Sequence, residues 1–150
     1  MNAFLNIFET GLSIPALQLQ PYWCVRFCGP LEDVDRIFDE LIKIHDFPYG
    51  KTDQNASVSA PGLEYYRPMA DTPTGAETDT RKRPDIVEMR FAIPPDETLL
   101  KSLLTTIYEF HSYYEPPITV EPILRSATTG LDDSQNPHRW WNKEGDWKKD

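Results

Sequence analysis

Cysteine, histidine and long apolar runs are scarce in this sequence, and these scarcities limit the kind of protein it can be. The chain has 150 residues with two cysteines and three histidines, and two cysteines cannot build a disulfide framework. No apolar run approaches the ~18 residues that a transmembrane helix needs. The first segment lacks an initial Lys or Arg, and Glu9 interrupts its apolar residues, unlike a secretory signal peptide. We therefore expect a cytoplasmic protein without a membrane-spanning segment.

Basic residues are outnumbered by acidic ones. The chain has 15 Lys and Arg against 24 Asp and Glu, which gives a net charge of −9. Because an acidic chain repels phosphate backbones, nucleic-acid binding is disfavoured. The sequence also lacks G-x-S-x-G, a Gly-rich phosphate loop and H-E-x-x-H, which are motifs of common enzyme classes. We therefore expect no enzymatic activity.

The sequence does contain an alternation of strand and helix patterns. In 85–93, apolar and mostly polar residues alternate, which predicts a strand with one buried face. In 30–45, apolar residues recur every three or four positions, which predicts a helix with one buried stripe. The predicted elements are a strand over Tyr22–Cys28, a helix over Pro30–His45, a strand pair over 56–60 and 63–67 with a turn at Pro61-Gly62, a loop over 68–84, a strand over Asp85–Ile93, a helix from Asp96 to about His111, and a strand over Ile118–Leu124 in which Pro122 requires an edge or bulge.

This order predicts an α+β fold, the ferredoxin-like βαββαβ sandwich, with both helices on one face of the sheet. The other face is open to solvent or to another subunit. We expect residues 22–125 to form this domain, residues 1–21 to form an N-terminal extension, and residues 126–150 to form a tail. The extension is either a docked short helix or a partner-binding arm. The tail is expected to dock partly, on its own domain or a neighbouring subunit, through Trp140, Trp141 and Trp147.

The segment from His111 to Pro122 carries a family resemblance. It resembles the His-Pro-Tyr-Glu-Glu-Pro-x-x-x-Val-x-Pro segment that ends the domain inserted in Nif-three-like metal-binding proteins. Ser112 and Tyr114 depart from that pattern. A shorter His-Pro-Tyr-Glu-x-Pro motif in the CutA divalent-cation tolerance family is similar. The matching residues are His111, Tyr113, Glu115, Pro116, Val120 and Pro122.

The resemblance continues upstream and covers roughly residues 22–124. Tyr66-Arg67-Pro68 stands where the inserted domain has Phe-Arg-Pro, and the strand and Leu-rich helix after residue 86 are similar as well. The resemblance implies a PII-like ferredoxin fold and a homo-oligomer, a trimer in preference to a dimer, because CutA proteins are trimers. Nif-three-like proteins hold paired metal ions in a separate surrounding domain that this chain lacks, so their metal-dependent hydrolase activity is not expected here.

Two pairs of residues are candidate metal ligands. His111 and Glu115 are four positions apart, which would form half of a metal site on a continuous helix. However, Pro116 disfavours helix at Glu115, and His111 would then cap the helix end. Cys24 and Cys28 share one strand face with Cα atoms ~13 Å apart, too far for a disulfide. They are either soft copper ligands or small buried hydrophobic residues.

The candidate ligand-binding residues are Tyr66, Arg67 and Tyr113, with Arg67 lining a pocket between subunits. The basic run 81–83 is either solvated or contacts an anion or nucleotide phosphate, because the equivalent loop of PII-like proteins serves signalling. Together, these features predict a non-catalytic, oligomeric PII/CutA-like domain that binds or senses a small ligand or a divalent metal ion. The alternative is a structural interaction module that uses the N-terminal arm and the Trp-rich tail. The candidate cofactors are a divalent metal ion or copper.

Overall fold

The computed structural model describes residues 3–130 and 135–142 of the chain. Its helices and strands lie mostly where the sequence patterns place them. In chain order they are α1 (Ala3–Thr10), β1 (Leu12–Ile14), β2 (Leu17–Pro30), α2 (Leu31–Leu41), β3 (Ser57–Val58), β4 (Gly62–Tyr66), β5 (Arg81–Ile93), α3 (Glu97–Phe110), β6 (Ile118–Thr128) and a short 3₁₀ helix (Trp140–Asn142).

The strands form one antiparallel sheet in which β2 and β5 are central. The edge strand β6 pairs with β2 on one side, and β3 and β4 pair with β5 on the other. The short strand β1 forms a hairpin with the start of β2. Helices α2 and α3 pack together over one face of this sheet. The predicted α+β class and ferredoxin-like arrangement are therefore confirmed.

The core lies between the two helices and the inner face of the sheet. Alternation along β5 buries Val87, Met89, Phe91 and Ile93, as predicted. Burial of each such side chain contributes roughly 1.5–3 kcal/mol to folding, so this face fixes the register of the strand. The other buried members of the core are Val25, Phe27, Val34, Ile37, Leu41, Phe47, Leu103 and Ile107.

The predicted strand pair at 56–67 is wrong in its pairing. Strands β3 and β4 do not pair with each other, because both pair with β5 in the same direction. Between them, Ser59 stays beside β5: its backbone N–H donates to Glu88 O (2.9 Å), and its hydroxyl accepts from Glu88 N–H (2.8 Å). Pro61 then interrupts the edge, since it has no N–H. The Pro61-Gly62 turn signal marks this interruption and not a reversal.

The strands are longer than predicted and the first long helix is shorter. Strand β2 starts at Leu17 because residues 17–21 pair with 124–128 of β6, so the sheet extends past both expected domain boundaries. Strand β5 starts at Arg81 because its first residues pair with β4. Helix α2 ends at Leu41, although His45 continues the apolar spacing. Local periodicity cannot reveal pairing with a distant strand.

The two chain ends differ in how they join the domain. The N-terminal extension contains a short helix, α1, which contacts β2 and β6. In the tail, Trp140 and Trp141 are 65% and 57% exposed, and Trp147 lies outside the described residues. Docking of the tail on a neighbouring subunit stays a prediction. Among the described helices, none combines the length and the apolar composition needed to cross a membrane.

Candidate functional site

A cleft of about 490 Å³ lies beside β4, between the start of β5, the loop after Tyr66 and the segment that follows α3. Its lining includes all three predicted ligand-binding residues, Tyr66, Arg67 and Tyr113. It also includes Glu115, one of the two predicted metal ligands from the His111 segment. The structure therefore brings together residues that are nearly fifty positions apart in the sequence.

Strand pairing explains how the cleft is built. In the antiparallel register of β4 and β5, Glu64 lies opposite Arg83 and Tyr66 lies opposite Arg81. Side chains two positions apart share a sheet face, so these two pairs form a single wall. Tyr113 reaches this wall from the turn after α3 and completes it.

Arg83 is the centre of the wall. Its guanidinium carbon lies 4.4 Å from the ring centroid of Tyr66 and 4.2 Å from that of Tyr113, so the cation is held between two aromatic rings. Arg83 donates to the Tyr66 hydroxyl at 2.7 Å, and its Nη1 lies 3.4 Å from Glu64 Oε2. The Tyr113 hydroxyl donates to the same Glu64 oxygen at 3.0 Å. These four side chains form one connected polar network with little freedom to move.

The two tyrosines of this network differ in their acidity. For Tyr66, desolvation raises the pKa, but hydrogen bonds from Arg83 and Arg81 outweigh it and lower the pKa below its ordinary value. For Tyr113, burial raises the pKa, and acceptance by Glu64 adds to this rise against the opposing charge of Arg83. Tyr113 is therefore protonated and acts as a hydrogen-bond donor at neutral pH. For Tyr66, the neighbouring Arg83 stabilises the deprotonated form of the hydroxyl.

The cleft also presents a positive charge that no carboxylate in the described chain compensates. Arg81 donates through two of its three nitrogens, Nε and Nη2, to the carboxylate of Glu77. Arg67 is exposed and has neither an ion pair nor a hydrogen bond among the residues that the structure describes. An arginine with unused donors is suited to a carboxylate or phosphate group. The cleft can therefore accept an anionic group at Arg67 beside the rigid Arg83 network.

The predicted metal role of His111 does not fit its hydrogen bonds. His111 is buried at the C-terminal end of α3, as in the alternative interpretation that it caps the helix. Its Nε2 lies 2.7 Å from Cys28 O, and its Nδ1 accepts from Tyr113 N–H at 3.0 Å. Since Nδ1 is an acceptor, Nε2 carries the proton, and neither nitrogen has a lone pair left for a metal. Glu115, in contrast, lies in the cleft wall.

The cysteines lie away from this cleft, on the sheet face that the helices leave open. Both are free thiols, with Cys24 buried and Cys28 partly buried. Burial raises the pKa of each thiol, which disfavours the thiolate form that binds copper. Across 3–130 and 135–142, no group of three His, Cys, Asp or Glu side chains is placed to hold a metal ion.

Sequence reasoning missed three residues that shape the cleft: Glu64, Arg83 as an ordered residue, and Asp33. Asp33 is 2% exposed on α2, and its carboxylate accepts from both the backbone N–H and the hydroxyl of Ser112. It thereby fixes the segment that leads to Tyr113. Its position among the early acidic residues of α2 indicated only an interaction with the helix dipole.

Comparison with solved structures supports the fold. A Bacillus cereus protein related to NIF3 superposes with a TM-score of 0.57 at 18% identity, covering 75% of this chain and 29% of that protein. The periplasmic divalent cation tolerance protein CutA from Archaeoglobus fulgidus gives 0.50 at 16%, covering 68% and 83%. The divalent ion tolerance protein CutA1 from Ehrlichia chaffeensis gives 0.51 at 15%, covering 76% and 87%.

These similarities confirm the suspected resemblance at the level of the fold. The chain spans less than a third of the length of the NIF3-related protein. No protein-family model matches the sequence, and no curated protein matches it. The chain therefore shares its fold with CutA proteins and with part of a NIF3-related protein, and the identity levels carry no argument about activity.

Proposed function

We propose that this chain is a non-catalytic, oligomeric module that binds a small anionic ligand in the cleft beside β4. The observation that carries this proposal is the convergence of Tyr66, Arg67 and Tyr113 on one cleft around the Arg83 network. The cleft volume of about 490 Å³ lies within the range of small-molecule sites. The fold shared with CutA proteins agrees with a binding role.

The ligand we favour carries a carboxylate or phosphate group. Arg67 has donors without partners among the described residues, whereas Arg83 and Arg81 are already paired with Glu64 and Glu77. The ligand's charged group would therefore contact Arg67, and its remaining atoms would lie against the tyrosine rings. A rigid wall lowers the entropy lost on binding.

A divalent cation is the second ligand class. Glu115 lines the cleft, and two proteins of the same fold are named for divalent-cation or divalent-ion tolerance. His111 would not take part, because its two ring nitrogens are already hydrogen-bonded.

A protein-interaction role is the second candidate function. The exposure of Trp140 and Trp141 favours it, because large exposed aromatic side chains are enriched at interfaces. Deletion of the tail from residue 131 would abolish partner binding in that case and leave the cleft intact.

Native mass spectrometry of the purified chain tests the assembly, and thermal denaturation with ATP, citrate or zinc chloride tests the ligand. We expect an oligomer whose melting temperature rises with ATP or citrate, by linkage. Arg67→Gln should remove the part of that rise that comes from the cleft beside β4. Lys43→Gln removes one exposed positive charge that follows α2 and does not line the cleft, so this variant should preserve the rise. A monomer that none of the probes stabilises would overturn the proposal.

A further inference from the structure

A second cavity, of about 370 Å³, lies on the open face of the sheet. Strands β2, β5 and β6 form its floor, and the segment from Tyr49 to Ser57 forms its rim. It shares no lining residue with the cleft beside β4. None of the roles proposed above uses it, although its lining includes three arginines, Arg26, Arg90 and Arg125.

Arg26 is neutralised within the protein. Its guanidinium is paired with Glu121 on one side and lies 3.8 Å from Glu88 on the other. Its Nε is buried and has no hydrogen-bond partner among the described residues. A buried donor without a partner is unfavourable.

Arg90 is not neutralised. It lies directly opposite Arg26 in the β2–β5 register, and like charges in that position repel each other. Both acidic neighbours are engaged with Arg26, and Arg90 has no ion pair or hydrogen bond in the described part of the chain. Its five N–H donors are therefore available to a ligand.

Arg125 is held in a fixed position on the same cavity. Its guanidinium carbon lies 3.9 Å from the ring centroid of Tyr22 and 4.5 Å from that of Tyr49. It donates to Pro48 O at 3.0 Å and has no carboxylate partner among the described residues. One of its donors is thus used for positioning, and the others remain free.

The charge balance of the cavity is opposite to that of the whole chain. Three arginines line it against a single carboxylate, Glu121, whereas the chain carries a net charge of −9. Burial raises the pKa of the Cys24 thiol in the cavity wall, and the charges of Arg90 and Arg26 oppose that rise. The positive charges of Arg90 and Arg26 therefore act on groups in the cavity wall.

We propose that this cavity binds an oxyanion, the carboxylate or phosphate group of a small molecule, between Arg90 and Arg125. Planar guanidinium groups with free donors match such oxygens in bidentate geometry. Ser57 lines the same space and carries a hydroxyl group that can donate, whereas the Tyr49 hydroxyl is already hydrogen-bonded to Ser126. The cavity is larger than one phosphate ion, so it has room for a small organic acid or phosphate ester.

Isothermal titration of the full chain with inorganic phosphate and with citrate, at constant ionic strength, tests this proposal. Arg90→Gln is the informative variant, because Arg90 is exposed and makes no contact that the fold requires. We expect its affinity for the preferred anion to fall about ten-fold, as for the loss of a charge-assisted hydrogen bond. Arg90→Lys keeps the positive charge but not the planar guanidinium group with its paired donors, so it should lose less anion affinity than Arg90→Gln.

Two matched variants separate this site from the cleft beside β4. Arg67→Gln should leave anion binding at the open face unchanged, and Lys43→Gln controls for the loss of one positive charge. Far-ultraviolet circular dichroism confirms that each variant is folded. Equal affinity of Arg90→Gln and the unaltered chain for both anions would overturn the proposal, as would no binding of either anion. A change in assembly mass with Arg90→Gln, without a change in anion affinity, would also overturn it and assign Arg90 to a contact between copies.

Discussion

The imidazole of His111 packs so closely against the backbone of Gly29 that a methyl group at position 29 would be crowded. A Cβ at residue 29 would lie 3.0 Å from Nε2 and 3.2 Å from Cε1 of His111. His111 cannot withdraw easily, since both of its ring nitrogens are hydrogen-bonded. We expect Gly29→Ala to lower the free energy of unfolding by about 1–3 kcal/mol, in the range for overpacking of a tight core. Urea denaturation measures this change.

Gly62 on β4 provides the matched control. A Cβ there would meet only Ile86 O at 3.6 Å, an ordinary contact. Gly62→Ala should therefore be neutral or stabilise by up to about 1 kcal/mol, because alanine restricts the unfolded chain. Equal destabilisation by both substitutions would show that the contact with His111 is not the cause.

Asp33 should contribute strongly to the free energy of unfolding, because it connects α2 to the segment after α3. Its buried carboxylate accepts two hydrogen bonds from Ser112 and is paired with Arg36. Asparagine would turn an NH₂ group toward some of these donors. We expect Asp33→Asn to lower the free energy of unfolding by about 2–4 kcal/mol. Asp35→Asn, at an exposed position of the same helix, is the control and should change stability by less than about 0.5 kcal/mol.

The same carboxylate predicts a pH dependence of stability. Burial alone would raise the pKa of Asp33, but hydrogen bonds from Ser112 and the contact with Arg36 outweigh it and lower the pKa. The unfolded chain then binds the proton more readily, so this contribution is present above about pH 4 and is lost as pH falls through the folded pKa. Denaturation midpoints between about pH 2 and 6 should fall less steeply in Asp33→Asn than in the unaltered chain. Parallel curves would contradict this assignment.

The stacking of Arg83 on Tyr113 should be measurable as a coupling energy. We expect a double-mutant cycle of Arg83→Met and Tyr113→Leu to give about 0.5–2 kcal/mol, because the cation is partly desolvated between two rings. Lys82 of β5 over Tyr65 of β4, at 5.7 Å and on an exposed ring, is the comparison pair. Its cycle should give a smaller value, and a larger one would contradict the importance of the Arg83 network.

The raised pKa values of both thiols predict that Cys24 and Cys28 are alkylated slowly. Because the thiolate is the reactive form, iodoacetamide at about pH 7.5 should modify Cys24 and Cys28 more slowly than a free cysteine. Cys24, at 5% exposure, should be the slower of the two. Mass spectrometry of timed samples measures both rates, and the chain unfolded in guanidinium chloride is the control. Rapid modification of Cys24 in the folded chain would restore the case for a thiolate ligand.

Local pattern was sufficient to predict the core of this fold. The alternation along 85–93 and the apolar spacing of α2 both predict one buried face. The structure buries Met89 on the strand and Ile37 on the helix accordingly. The pairing of β3 and β4 was not predictable in the same way. A proline and a glycine mark a break in the chain whether or not the chain reverses there, and only the length of β5 decides the outcome.

The cleft was predictable in part. Tyr66, Arg67 and Tyr113 were found through the family resemblance, whereas Arg83 was hidden in a run that also suits a solvated loop. Its ordered position depends on strand register, which places it opposite Glu64 and beneath two rings. The sequence left His111 as either a metal ligand or a helix cap, because its spacing from Glu115 carries no information about Cys28 O, which lies 83 positions away.

The proline interruptions of the sheet bear on how copies of this chain can meet. Pro61 separates the two short strands on one edge, and Pro122 lies within β6 on the other, where the ladder to β2 runs on without a break. The nitrogen of Pro122 must then face outward, where it offers no donor. Among the described residues, neither edge offers an uninterrupted row of hydrogen-bond donors, so fibril-like growth by strand addition is disfavoured.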